Sequence, residues 1–340
     1  MIVCGVYTLA LVVYLALRLL FGDGFWWLGL LNTFAHLLFL PLLVLLPLAL
    51  LIRARGAALR LLPLVVVAGL WFGPYYLPKA PPEAVGDTIR VATFNMRVVN
   101  NDLSLAETWI KQLGADIVCL QEIPLDLAES LLARLHEHFP YQAVQDDIVR
   151  WVGYPSQNAI LSRYSIVQTD TVDLQADGTA LPVRAVLDVN GQLIAVYNVH
   201  LAWPSGGPRL ELPVNNYYLN TFLGFDDRIR NQQIMRLLAH LQTEPYAYLI
   251  AGDFNTSSSS GIYQQLAAAM HDSFREIGAG FGGTWPVSEV LGLPGFVPPF
   301  LRLDYIWHSD QFQAVSAQVG PRLGSDHLPL LVTLAFLADG

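Results

Sequence analysis

The chain is poor in cysteine, and the two it has do not suit a disulfide. Among 340 residues they are Cys4 and Cys119. Cys4 stands in a lipid-like segment and Cys119 in an apolar strand-like run, so both read as small buried hydrophobes. Cysteine usage leaves the redox compartment open. Charge is scarce too, at 14% Asp, Glu, Lys and Arg, and it is unevenly spread. The first 82 residues carry one acidic side chain, Asp23, against Arg18, Arg53, Arg55, Arg60 and Lys79. The remainder holds 14 Lys and Arg against 27 Asp and Glu. A domain that acidic has no general attraction for a polyanion, which argues against a processive or nonspecific nuclease. Internal repeats and low-complexity segments are also missing.

What the N-terminal quarter has instead is long apolar runs. Residues 2–21, 25–52 and 57–78 each reach the roughly 20 residues that cross a bilayer core. They lack the polar faces that a water-soluble bundle would need. Arg18 and Arg60 stand near segment ends, where long side chains can snorkel, and Pro41 and Pro47 would kink the second segment without ending it. Residues 1–78 are therefore expected to form a three-helix transmembrane anchor. Arg53, Arg55 and Arg60 between the second and third spans place that loop in the cytoplasm, and everything after the third span outside. Arg18 and Lys79 count the other way. Trp26, Trp27, Trp71, Tyr75 and Tyr76 would then form an aromatic belt at the outer interface. Residues 79–87, rich in Pro and Ala, read as a linker, and residues 88–340 as one catalytic domain.

From Thr88 onward short apolar runs alternate with helical stretches. Strands are expected at 89–96, 116–123, 158–164, 185–189, 193–201, 246–254, 303–308 and 328–336. Helices are expected at 103–113, 127–139, 227–242 and 261–270, where apolar residues recur at i, i+3, i+4 spacing. Several strands run directly into polar clusters at Asn95, Glu122, His200, Asp253 with Asn255, and Asp304. Strand ends are where an α/β scaffold presents a ligand site.

Hydrolysis of a phosphate ester requires a cation to neutralise developing charge, a group to orient or deprotonate water, and donors for the phosphoryl oxygens. Oxygen-rich clusters with few nitrogens suit Mg²⁺ or Mn²⁺. Glu122 is the strongest metal-ligand candidate. Asp253 and Asn255 would share one side if the strand stays extended; the alternative is an Asx-turn closing the strand.

The clusters stand in a fixed order: T-F-N at Asn95, L-Q-E at Glu122, N-V-H-L at His200, G-D-F-N at Asp253 and Asn255, L-D-Y-I at Asp304, and S-D-H-L-P at Asp326 and His327. The set resembles the endonuclease/exonuclease/phosphatase superfamily over about three-quarters of the chain. That resemblance implies an α/β (α+β) sandwich of two packed mixed β-sheets flanked by helices. It implies that Glu122 binds the metal with help from Asn95, and that Asp326 is a second ligand or a positioning group. It further implies that Asp253 orients water and Asn255 holds phosphate. Asp304 would fix the tautomer of His327, which contacts the attacked phosphate, while His200 contacts phosphate and can protonate the leaving oxygen. One position departs from the pattern. Family nucleases acting on duplex DNA commonly carry an Asp two residues after the Asn, where this chain has Arg97. A cation there cannot bind metal but could meet a second phosphate.

His136, His138 and His240, and Arg228 with Arg230, read as solvated helix faces, and Arg163 as structural. Two long loops, 204–226 and 280–301, should decide the substrate. The second is unusually apolar, which suggests lipid contact unless it packs on itself. Three spans and an outward domain also resemble the VanJ-type glycopeptide-resistance membrane proteins. The expected activity is a membrane-anchored, divalent-metal-dependent phosphoesterase hydrolysing a phosphate ester or pyrophosphate of a lipid-linked or cell-envelope substrate. The partners are the lipid bilayer and that phosphorylated substrate. Nucleic acid, and with it a membrane-tethered extracytoplasmic nuclease, is the alternative, and no protein partner is implied.

Overall fold

The first apolar run folds as expected of a sequence dominated by Leu, Val and Ala with no interior proline: helix α1 spans Ile2–Phe21 and stops at Gly22, whose φ of 55° suits glycine. The computed structural model describes residues 2–80, 86–145, 149–151, 154–174, 181–205, 223–287 and 293–337. Most of the 204–226 loop and residues 81–85 of the linker lie outside the described residues, as do 288–292 of the second loop.

The second apolar run is not one continuous helix. It forms α2 (Trp26–Thr33), α3 (Ala35–Leu38) and α4 (Leu42–Leu51), with a bend of 78° after Thr33. Pro41, lacking a backbone N–H, separates α3 from α4. Helix α5 covers Arg55–Phe72, passes through Pro63 and continues as a 3₁₀ turn over Gly73–Tyr76. Two helices, Ile2–Phe21 and Arg55–Tyr76, are therefore long and apolar enough to cross a membrane, and the bent pair is either a broken third span or a re-entrant loop. Leu28, Ala35, Ala49, Ala57 and Leu61 are buried between these helices. Outside them Leu9, Leu19, Leu43, Leu59 and Leu70 are all more than half exposed.

The chain divides into two compact units. One holds Met1–Pro78 together with Ser205–Asp227 and Thr256–Gln264; the other holds the rest. Within the first, a buried polar chain runs from the Tyr14 hydroxyl to Asn32 Oδ1 at 3.0 Å and from Asn32 Nδ2 to Asp23 Oδ1 at 2.6 Å. Asp23 Oδ2 in turn accepts from the N–H of Gly261, while Thr256 and Ser260 bond each other through their hydroxyls at 2.9 Å.

The second unit is a β-sandwich. Its strands are β1 (Thr88–Asn95), β2 (Ile117–Pro124), β3 (Tyr141–Val144), β4 (Val149–Trp151), β5 (Tyr154–Ser162), β6 (Ser165–Thr171), β7 (Val183–Val189), β8 (Gln192–His200), β9 (Ala247–Asp253), β10 (His271–Asp272), β11 (Asp304–His308), β12 (Phe312–Val319) and β13 (Leu330–Phe336). One sheet runs β12-β13-β1-β2-β5-β3, with β4 paired to β5; the other runs β10-β11-β9-β8-β7-β6. Both are mixed, because β1–β2 and β8–β9 are parallel and the remaining pairs antiparallel. Val91, Cys119 and Ile160 of the first sheet meet Val196, Leu249 and Ile306 of the second in one buried core. The first sheet's other face buries Phe94, Leu120 and Leu161 against α6 (Ser104–Gln112) and α7 (Leu125–Leu135). Helices α8 (Arg228–Leu241), α9 (Gly261–Ala269) and α10 (Ser273–Ile277) complete the described elements. Between the sheets Gln121 donates to Asn198 Oδ1 at 2.7 Å, and Asn198 Nδ2 donates to the carbonyls of Leu120 and Ala159. A buried amide satisfied on all sides in this way fixes the register of one sheet on the other.

Candidate active site

Register delivers the site. In the second sheet Asp304 lies opposite Asp253, and Asp253 beside His200. In the first, Asn95 lies beside Gln121, one residue before Glu122. Parallel pairs β1–β2 and β8–β9 thus end at the same edge of the sandwich, and β11, being antiparallel to β9, begins there. Asp304 opens its strand rather than closing it, yet reaches the same place.

The local backbone is bent to aim these side chains. Glu122 sits in an irregularity between Leu120 and Ile123 where two residues lose their partners on β5, and bulges re-aim side chains in this way. Among the described residues five other than glycine have positive φ, and three of them are here: Arg97 at 62°, Glu122 at 52° and Asn255 at 48°. Non-glycine residues hold such angles only where the surroundings over-determine them. Gly252 has no alternative: a Cβ would lie 1.9 Å from the Val199 carbonyl oxygen.

The extended arrangement of Asp253 and Asn255 is not what forms. Strand β9 ends at Asp253, whose Oδ1 accepts from the Asn255 N–H at 2.8 Å, so the alternative Asx-turn is correct. The turn still brings the two side chains to the same edge.

Seven of the eight expected residues are linked by contacts. Asn95 Nδ2 donates to Glu122 Oε1 at 3.0 Å and to Asp253 Oδ2 at 3.1 Å. His200 Nε2 lies 3.5 Å from Glu122 and 3.8 Å from Asp253. His327 Nδ1 meets Asp304 Oδ2 at 2.9 Å, and its Nε2 faces Asp253 Oδ2 at 3.6 Å. Asn255 joins through Asp253 and also donates Nδ2 to the Leu201 carbonyl. Asp326 is turned elsewhere, toward Arg97 at 3.7 Å and the Trp285 indole at 3.4 Å.

Several supporting residues escaped the sequence reading. Asn158 Oδ1 accepts the Glu122 N–H at 3.2 Å. The Ser325 hydroxyl donates to the Asn95 carbonyl and accepts from the His327 N–H, and the Thr284 hydroxyl accepts from the Leu303 and Asp304 N–H groups. Arg230 does not lie on a solvated face. It is 1% exposed and donates to the Asn255 carbonyl at 2.6 Å. Asn158 and Ser325 stand in the N-A-I-L-S and S-D-H runs, so adjacency to a site motif was their only signal. Arg230 had none, because the 3.6-residue period places it on a face without saying what covers that face.

Burial shapes the electrostatics. Asp253 and Asp304 are 1% and 0% exposed. Removal from water pushes Asp253 up to about 6, against the opposing pull of His327 and His200. For His327, burial works to lower the imidazole, but the facing carboxylates of Asp304 and Asp253 prevail and raise it to about 10.

Three buried carboxylates confront two imidazoles, and Asn255 Oδ1 and Asp304 Oδ1 are buried without a hydrogen bond. Acceptors of this kind suit a hard divalent cation. Asp253, Asp304 and His327 also have ligand atoms within 4.8 Å of one another. The short Nδ1 bond to Asp304 occupies that pair, however, and makes it an ion pair rather than two ligands. The Glu122 end fits a cation better, with Asn95 contributing once its amide is turned to present Oδ1.

The family described as Endonuclease/Exonuclease/phosphatase matches residues 92–327. No curated protein matches the sequence. Among solved structures, an endonuclease/exonuclease/phosphatase family protein from Leptotrichia buccalis C-1013-b is 18% identical, covering 73% of this chain and 100% of its own, with a TM-score of 0.56. The endonuclease/exonuclease/phosphatase from Bacteroides vulgatus is likewise 18% identical over 74% of this chain and 100% of its own, at 0.54. Sphingomyelinase C from Streptomyces griseocarneus is 18% identical over 73% and 99%, at 0.50. At such identities the likeness is one of fold.

Proposed function

The chain belongs to the endonuclease/exonuclease/phosphatase family, and from that premise we propose that it is a membrane-anchored, divalent-metal-dependent phosphoesterase acting on a lipid-linked phosphate outside the cytoplasm. The observation that carries the reading is the Asn95–Glu122–Asp253 contact set beside the Asp304–His327 pair, on a chain with helices apolar and long enough to cross a bilayer.

Glu122 and Asn95 would hold Mg²⁺ or Mn²⁺, with Asp253 beside them. Such a cation supplies charge neutralisation for a phosphoryl group. Asp253, ionised above about 6, accepts a proton from water or orients it. Asp304 keeps His327 protonated, with Nε2 the donor that faces the reacting space. His200 is the second donor, placed to protonate a leaving oxygen. Asp326 acts by holding Arg97.

Support for a lipid-linked substrate comes from the apolar loop. Trp285, Val287 and Leu301 pack inward, but Phe296 is 86% exposed and Leu293 38%, as befits a membrane-facing tip. The arginines at 53, 55 and 60 support the orientation. The full chain in detergent with Mg²⁺ should release phosphate or alcohol from polyprenyl or phospholipid esters and leave plasmid DNA intact. Plasmid nicking at a comparable rate would replace this reading with the nuclease. A reporter enzyme active only outside the cytoplasm, fused after Pro82, should be active; a silent fusion overturns the orientation.

A further inference from the structure

At the far end of β11 from the carboxylates, two histidines meet across a strand pair. His271 of β10 is the register partner of His308 of β11, and their rings stack at 5.2 Å with 19° between the planes. Asp304 opens β11 and His308 closes it. Four strand steps of about 3.3 Å put the pair roughly 13 Å from the catalytic edge. Helix α10 adds a third group: Glu276 Oε2 lies 3.0 Å from His308 Nε2, and Glu276 Oε1 lies 3.5 Å from His271 Nδ1.

The outer nitrogens of both rings are already engaged. His308 Nδ1 faces the Ser309 carbonyl at 3.0 Å, which can only accept, and His271 Nε2 faces Asp310 Oδ1 at 2.7 Å. A proton on each outer nitrogen leaves the lone pairs of His308 Nε2 and His271 Nδ1 aimed at one carboxylate. Acceptors that face each other need a cation between them. Two more protons would make both rings imidazolium, with like charges stacked face to face. One divalent ion serves both nitrogens and the carboxylate together. A carbonyl and a carboxylate behind the rings are also the groups that orient histidine ligands of metals.

The spacing agrees. Ligand atoms about 2.1 Å from a tetrahedral ion stand roughly 3.4 Å apart, and the two nitrogen–carboxylate separations, 3.0 and 3.5 Å, bracket that value. His308 is fully buried, and Glu276 is held by the Ala314 N–H at 3.0 Å. The His271 side chain is 46% exposed, with room to lean toward His308 and bring the two nitrogens onto one ion. Two imidazoles with one carboxylate suit Zn²⁺ and its neighbours better than Mg²⁺.

We propose that His271, Glu276 and His308 bind a divalent transition-metal ion of the zinc class, which clips the two-residue strand β10 and helix α10 to β11. The inference goes beyond the phosphoesterase reading and does not depend on it.

The test uses the full chain in detergent micelles, with Mg²⁺ in excess and Zn²⁺ alone as the probe. Equilibrium dialysis should find one Zn²⁺ fewer on His271→Ala and on Glu276→Gln than on the unaltered chain. Glu122→Ala, changed at the catalytic edge, should keep that ion. Asp310→Asn, which alters only the group behind His271, should weaken Zn²⁺ binding by about tenfold or more. Zn²⁺ at about a hundred times its Kd should raise Tm by roughly 5–10 °C in the unaltered chain and leave His271→Ala unmoved. Equal Zn²⁺ stoichiometry and an equal rise in Tm for His271→Ala and the unaltered chain overturn the site. Loss of the ion in Glu122→Ala alone places it at the catalytic edge and overturns the site as well. Circular dichroism of each variant separates loss of the ion from loss of fold.

Discussion

The two units of this chain solve the problem of burial in opposite ways. In the sandwich, side chains such as Leu120, Leu161 and Val196 are fully enclosed, and buried charges such as Arg184 and Arg302 have carboxylate partners. Arg184, for example, reaches Glu244 at 2.8 Å and Asp170 at 2.9 Å. In the helical unit a few side chains such as Leu28, Leu61, Ala49 and Ala57 are enclosed, while many other large apolar side chains point outward along α1, α4 and α5. The lesson is that hydrophobic does not mean core: leucine is enclosed almost throughout the sandwich sheets, whereas in the helical unit it stands both inside and on the outer face.

That contrast can be broken or sharpened by substitution. The largest effects belong to the carboxylates that link the sheets' ends. Glu122→Ala or Asp253→Ala should lower kcat by about a thousandfold or more, with an unchanged circular-dichroism spectrum. Asp304→Asn should cost about a hundredfold, and in the metal-free protein should bring the His327 titration, followed by NMR, down from about 10. The sign is fixed by linkage: a raised imidazole stabilises the fold fully below its ordinary value of 6.5, and this stabilisation is lost as the pH climbs toward 10. Asp304→Asn should flatten that alkaline decline in Tm.

Next comes the ion pair. Arg184→Ala leaves the Glu244 carboxylate buried without its guanidinium and should destabilise the sandwich by about 3–5 kcal/mol by denaturant titration. Burial pushes Glu244 up, but the hydrogen bonds from Arg184 and Tyr197 hold it below the usual range. Its contribution is therefore present above the ordinary glutamate value and fades in acid. Leu120→Ala should cost about 2–5 kcal/mol by loss of contacts and cavity formation. Leu9→Ala, on the outer face of α1, should cost close to nothing in micelles. Similar losses at Leu9 and Leu120 would remove the distinction between the units.

Much of this was legible in the sequence where a pattern had a physical period. All eight expected strands form, because each combines an apolar run with a polar or glycine stop. The five strands that were missed have another character: Tyr141–Val144 and Val149–Trp151 are four and three residues long, Ser165–Thr171 is mostly exposed and polar, Phe312–Val319 is an edge strand, and His271–Asp272 is two residues long. Edge strands are defined by a neighbour, which composition does not reveal. At the site, residue identities were legible through ordered motifs, whereas the backbone that aims them was not. Nothing in L-Q-E states that Glu122 adopts a positive φ, and nothing in G-D-F-N separates an extended strand from the turn that Asn255 completes. The break in the second apolar run was visible as Pro41, but the sharp bend begins at Thr33, before any proline.

One contact described for the helical unit bears on modularity. Asp23, the only acid in the first 82 residues, accepts the first N–H of α9 at Gly261, and Thr256–Ser260, all buried, belong to that same unit. The polypeptide therefore leaves the helical unit and returns to it twice. A cassette cut at the linker would not release a finished module: it would strip α9 of its cap and uncover five consecutive hydroxyl-bearing residues.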